Sequence, residues 1–197
     1  MSVRFVWVGL AVLQAPGDAH AHLVNTGFGP FYDGLSHLLL TPEDLLPVLA
    51  LALLAGLSGP RFGRGVLFTL PVCWLVGGLA GLQQPMEISL PVVTTLSFLV
   101  LGGLVAADRK LPFGLVVGLG ALAGFGHGYL NGTAMSEAQL GVVGLIGIGC
   151  AVFVVMSLAA ALIVTIRADW ARIAVRVAGS WIAAIGLLLL GWAFRGG

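Results

Sequence analysis

The stretch Gly124-Phe125-Gly126-His127-Gly128-Tyr129-Leu130-Asn131-Gly132-Thr133-Ala134-Met135 decides how the chain is read. A histidine stands at the end of a long apolar run, with glycine on both sides. An ionisable side chain at membrane depth is costly unless it faces a protein interior or a cavity. Glycine removes bulk, so a second backbone, an ion or a water can come close to the imidazole. The rest of the chain reads as a frame that holds His127 near one membrane surface.

Composition agrees. The 197 residues are 59% hydrophobic and 9% charged, with a mean hydropathy of +1.08. A soluble domain carries roughly a quarter charged residues, so this is an integral membrane protein with the lipid bilayer as its first partner. A net charge of +1 lacks the clustered basic face of a nucleic-acid binder and excludes that class. Cys73 and Cys150 fall inside apolar runs without a CxxC neighbour and read as small packing residues. The thirty glycines lie mostly within hydrophobic segments, where they permit close helix packing.

Working outward, residues 1–21 read as a secretory signal peptide: Arg4, a short apolar core, the break at Pro16-Gly17, and Ala19-His20-Ala21 as a cleavage site. An uncleaved anchor is the other reading. Cleavage after Ala21 would leave His22 as the mature N-terminus, where amine and imidazole together can chelate a metal. Residues 23–41 read as a short outer helix, lying at the interface or dipping into the bundle. Within it Asp33 and His37 are four apart and share a helix face. They form either an anchoring pair or an oriented metal ligand. Thr41-Pro42-Glu43-Asp44 opens the first span with an N-cap, a proline at N1 and two acids beside the positive helix end.

The fold class expected is all-α: a polytopic membrane helix bundle, forming one domain at 22–197 after the signal peptide. Six transmembrane helices are expected at about 42–57, 65–82, 89–106, 112–129, 138–166 and 177–194. Ser58 to Arg64, Asp108 to Lys110 and Arg167 to Arg176 read as basic turns; Gln83 to Glu87 and Asn131 to Glu137 read as polar turns without Lys or Arg. The positive-inside rule then puts the chain in the bacterial inner membrane with both mature ends outside. It also gathers His22, Asp33, His37, Asp44 and His127 at the outer surface. Imidazole with carboxylate is a ligand set suited to nickel, cobalt, zinc or copper.

These residues carry a family resemblance. His127-Gly128-Tyr129-Leu130-Asn131-Gly132-Thr133-Ala134-Met135 resembles the H-G-x-A-H-G-x-E-M motif of the HupE/UreJ family of hydrogenase and urease accessory membrane proteins. Gly29-Pro30-Phe31-Tyr32-Asp33-Gly34-Leu35-Ser36-His37-Leu38-Leu39 is similar to that family's H-P-x-x-G-x-D-H-x-L. The resemblance implies a nickel or cobalt permease whose motif histidines and acids are ligands. His127 and His37 match, whereas Asn131, Ala134, Gly29 and Ser36 stand where the motifs have His, Glu, His and Asp.

The leading expectation is therefore a small transition-metal permease with His37, Asp33 and His127 at its outer site, joined by Asp44 or the His22 terminus. Its cation would pass between the glycine-thinned fourth and fifth spans. A non-transporting accessory subunit, with metalloenzyme maturation partners or as a homo-oligomer, is the second. A zinc-dependent intramembrane hydrolase ranks last, since it needs a third ligand and a general base.

Overall fold

The computed structural model describes residues 25–84, 91–166 and 168–193. The signal-peptide reading of residues 1–21 and the proposed ligand His22 lie outside the described residues. Those described form seven helices and no strand: α1 (Pro30–Leu40), α2 (Pro42–Ser58), α3 (Pro60–Gly81), α4 (Pro91–Ala107), α5 (Phe113–Glu137), α6 (Gly141–Val164) and α7 (Asp169–Ala193).

Prolines start α1, α2 and α3, where the missing N–H costs nothing because no intrahelical acceptor exists for it. Gly59, at φ 111, ends α2 and caps α3, a conformation that lets the chain turn back within one residue. The basic turn expected at 58–64 therefore shrinks to this glycine, and Arg61 and Arg64 belong to the start of α3. The basic stretch before Arg176 is likewise mostly helix, because α7 begins at Asp169.

Four helices (α3, α5, α6 and α7) are long and apolar enough to cross a bilayer. The pair α1 and α2, bent by 71° at Thr41, qualifies as a fifth, broken span. The remaining expected span is α4, apolar but only 17 residues long, about 26 Å at 1.5 Å per residue. Leu122, Leu158, Leu188 and Trp192 are among many exposed large apolar side chains. Such an apolar exterior suits lipid contact.

Helix α2 is the centre. Its Ala50, Leu51, Ala52, Leu54 and Ala55 are buried, and it touches every other helix of the bundle. Around it, helices pair through glycine. Helix α5 lies along α3, with Gly124, Gly128 and Gly132 against the carbonyls of Leu70, Trp74 and Gly78, and with Gly77 and Gly81 of α3 against those of Phe125 and Tyr129. A Cβ at any of these positions would strike backbone, so the two helices meet with no side chain between them. Gly34 and Gly147 join α1 to α6 in the same way, and Gly102 and Gly179 join α4 to α7.

Gly124 and Gly128 of the expected fourth span thus pack on the second, while Gly114 and Gly118 meet nothing within 4 Å. One expectation changes here, because the polar turn after Tyr129 is absent: α5 continues to Glu137. Its polar donors find acceptors within the bundle: Thr133 donates to the Leu130 carbonyl at 2.7 Å and Asn131 to the Asp44 carboxylate at 2.9 Å. The helix stops where Gln139 takes φ 58 and the Leu140 N–H bonds back to the Met135 carbonyl at 3.0 Å.

Candidate functional site

Five helices deliver side chains to one buried polar cluster. At its centre is Asp44, placed by Pro42 and the 71° bend so that the first turn of α2 points inward. A place at a helix start beside the positive dipole end was sufficient structural reason for Asp44, but its carboxylate is buried and each oxygen accepts a hydrogen bond from α5. His127 Nδ1 of α5 lies 2.9 Å from Asp44 Oδ1, and Asn131 Nδ2, one turn further along α5, donates to Asp44 Oδ2 at 2.9 Å. His37 Nε2, from α1, is 3.6 Å from the same Oδ2. Two histidines, 90 residues apart in sequence, thus flank a single carboxylate.

The hydrogen bonds dictate several atom assignments. An ionised carboxylate only accepts, so His127 Nδ1 carries a proton. Asn131 Nδ2 faces both Asp44 and the His127 carbonyl, the latter at 2.8 Å, which fixes its amide orientation. Its Oδ1 is left buried without a partner among the described residues. The other nitrogen of His127, Nε2, lies 3.0 Å from Ser97 Oγ of α4, and that hydroxyl also reaches the Val93 carbonyl at 2.8 Å. A hydroxyl has one proton. Given to Nε2, it leaves a neutral imidazole; given to Val93, it makes Nε2 the donor and the ring an imidazolium beside Asp44. The Trp74 indole of α3 stacks on the ring, with centroids 5.7 Å apart.

His37 is held more loosely. Thr41 Oγ1 approaches its Nδ1 at 3.4 Å, so the residue that caps α2 turns its hydroxyl to the histidine, not to the helix N–H groups. Its Nε2 has no hydrogen bond among the described residues. The pairing expected between Asp33 and His37 is absent. Asp33 Oδ1 instead accepts from the Thr26 N–H and hydroxyl, both at 2.6 Å. These short local donors draw the carboxylate away along the entry segment and leave Asp44 as the acid that His37 faces.

The order Asp44–His127–Ser97 is that of a hydrolase relay, but Ser97 lies in a helix interior. Neighbouring N–H groups there are already bonded to i−4 carbonyls and cannot form an oxyanion hole. Among the described residues, no group of three His, Cys, Asp or Glu is disposed to hold a metal ion outright. The arrangement offers one loosely engaged imidazole nitrogen facing a buried carboxylate, backed by a tightly bonded His–Asn pair.

A family model described as HupE / UreJ protein matches residues 10–189. The chain belongs to the HupE/UreJ family. No curated protein and no solved structure gives a significant match. In this HupE/UreJ chain the two motif stretches, the outer segment around His37 and the α5 segment around His127, meet on Asp44. Asn131, at the position of the motif's second histidine, keeps its place in the cluster as a donor to the carboxylate. Sequence reasoning placed neither Trp74 nor Ser97 in the cluster. The four-residue spacing of His127 and Asn131 was the available signal, and the supposed turn at 131 hid it.

The basic residues collect at the other end of the bundle. Arg172 on α7 makes two hydrogen bonds to Asp108, at 2.6 and 2.7 Å, and Arg176 donates to the Ala106 carbonyl at 3.0 Å. The Arg61 guanidinium sits over the Phe113 ring, 4.6 Å from its centroid. Phe113 begins α5, roughly 20 Å before His127 at 1.5 Å per residue.

Proposed function

We propose that this HupE/UreJ protein is a small inner-membrane permease for a transition metal of the nickel or cobalt type, captured at the outer face by His37 and Asp44, with His127 behind the carboxylate. The observation that carries this reading is the convergence of both histidines on one buried carboxylate. Nitrogen and oxygen donors of this kind suit a borderline divalent ion. The cation is cargo and enters between His37 Nε2 and Asp44 Oδ2, the loosest contact of the cluster at 3.6 Å. His127 orients the carboxylate from behind, as an outer partner tunes a metal ligand. Six spans are part of this reading, oriented by the positive-inside rule with the arginine-bearing starts of α3 and α7 and the α4–α5 connection, which carries Arg109 and Lys110, on the cytoplasmic side.

A second reading has its own support. Both Asp44 oxygens and both His127 ring nitrogens are engaged by hydrogen bonds, and Asn131 replaces a strong ligand, which suits a non-transporting accessory subunit acting with a metalloenzyme maturation partner. Metal uptake by cells carrying the chain or its His37→Gln variant separates the two. The permease reading expects uptake that depends on the chain and falls with the variant. Uptake unchanged by deleting the chain, with another membrane protein co-purifying, would replace it with the accessory role.

A further inference from the structure

At the basic end of the bundle is a cavity of about 450 Å³, walled by the end of α2, the start of α3, the α4–α5 connection and the start of α7. Its volume falls within the roughly 300–1,000 Å³ of small-molecule sites, too large for a bare ion. Arg109, Lys110 and Arg172 line it against a single acid, Asp108. That acid is committed: Asp108 is held at φ 47 at the end of α4 and grips Arg172 with both oxygens. Arg172 is thereby fixed in the wall. Arg109 and Lys110 have no carboxylate partner among the described residues. Phe62 and Leu111 supply an apolar side to the same cavity.

From this geometry we infer that the cavity binds the phosphate headgroup of an anionic lipid, with Arg109 and Lys110 on the phosphate and Phe62 and Leu111 along the apolar stem. Three cations and one already neutralised acid select an anion. The apolar wall selects an amphiphile over a free ion. The position between helix ends, where chains of a bilayer lipid arrive, is where basic pockets recognise such headgroups. The site is far from the histidines and does not depend on the metal reading.

The test is native mass spectrometry of the purified full chain in neutral detergent, offered equal amounts of phosphatidylglycerol and phosphatidylcholine. The wild type retains one phosphatidylglycerol in preference, and Arg109→Gln/Lys110→Gln lowers that preference roughly ten- to thirty-fold for two lost cations. Arg64→Gln, which removes a cation from the same end outside this cavity, leaves it unchanged. Both residues of the double variant are exposed, so their replacement spares the core. An unchanged preference in the double variant would overturn the inference, as would an equal loss with Arg64→Gln. Displacement of the lipid by millimolar inorganic phosphate would overturn the lipid assignment in favour of a soluble anion.

Discussion

Replacing Asp44 by alanine removes the acceptor that two helices share. The His127 Nδ1–H and one Asn131 N–H, both now bonded at 2.9 Å, would be left buried without partners. Orphaning a buried donor costs about 1–3 kcal/mol, which gives roughly 2–6 kcal/mol for two such donors. Neutral hydrogen bonds between membrane helices average only about 0.6 kcal/mol, so two of them would account for about 1 kcal/mol. A buried charged pair broken on one side costs about 3–5 kcal/mol. Where Ser97 donates to Val93 and the His127 ring is an imidazolium, the cluster holds such a pair, so Asp44→Ala is expected to lower unfolding free energy by about 3–5 kcal/mol. Asp44→Asn keeps one acceptor and should lose roughly half of that. Equilibrium unfolding in bicelles, followed by the fluorescence of Trp74 stacked on His127, reads both values. A double-mutant cycle with Asn131→Ala should show a coupling of about 0.5–3 kcal/mol. A loss below about 1 kcal/mol for Asp44→Ala would refute the charged, saturated cluster.

Other outcomes follow from the same geometry. Gly128→Ala puts a methyl group on the Trp74 carbonyl and must push α3 and α5 apart. A loss of about 1–3 kcal/mol is expected in the same unfolding assay. Gly118→Ala, which meets nothing within 4 Å, should be neutral or stabilising by up to about 1 kcal/mol, and a large loss there would contradict the described packing. Ser97→Ala removes the hydroxyl from His127 Nε2 without disturbing Asp44, so the ¹⁵N resonance of Nε2 should shift while that of Nδ1 holds, and stability should change by only about 1 kcal/mol. Arg172→Ala breaks a two-bond pair at the half-exposed basic end and should cost about 0.2–1 kcal/mol, less at high salt.

Much of this fold is legible because lipid imposes strict rules on sequence. The proline at 42 announces a helix start, and the apolar runs announce helices. Errors arose where polarity was read as loop. Asn131, Gly132 and Thr133 look like a turn, yet each has a place in α5: Asn131 donates to Asp44, Gly132 meets backbone closely and Thr133 donates to a local carbonyl. Arg172 looks like part of a turn until Asp108, 64 residues earlier, supplies its partner. The site was half legible. His37, His127 and Asp44 were named as candidates, but spacing favoured Asp33 as the acid of His37, and only tertiary structure reveals that Thr26 holds Asp33 while the bend at Thr41 turns Asp44 inward. Trp74 carried no local signal, because its contact with His127 depends on the glycine-to-backbone packing of α3 on α5.

The measurement that bears most directly on the account is a calorimetric titration of the purified protein with Ni²⁺ and Co²⁺, alongside His37→Gln. Because His37 Nε2 stands outside the hydrogen-bonded core of the cluster, this variant removes a ligand and leaves Asp44, His127 and Asn131 in place. The account predicts saturable one-site binding by the wild type, weakened at least about ten-fold in His37→Gln. A folded wild type that binds neither ion, or a variant that binds as tightly as the wild type, would contradict it.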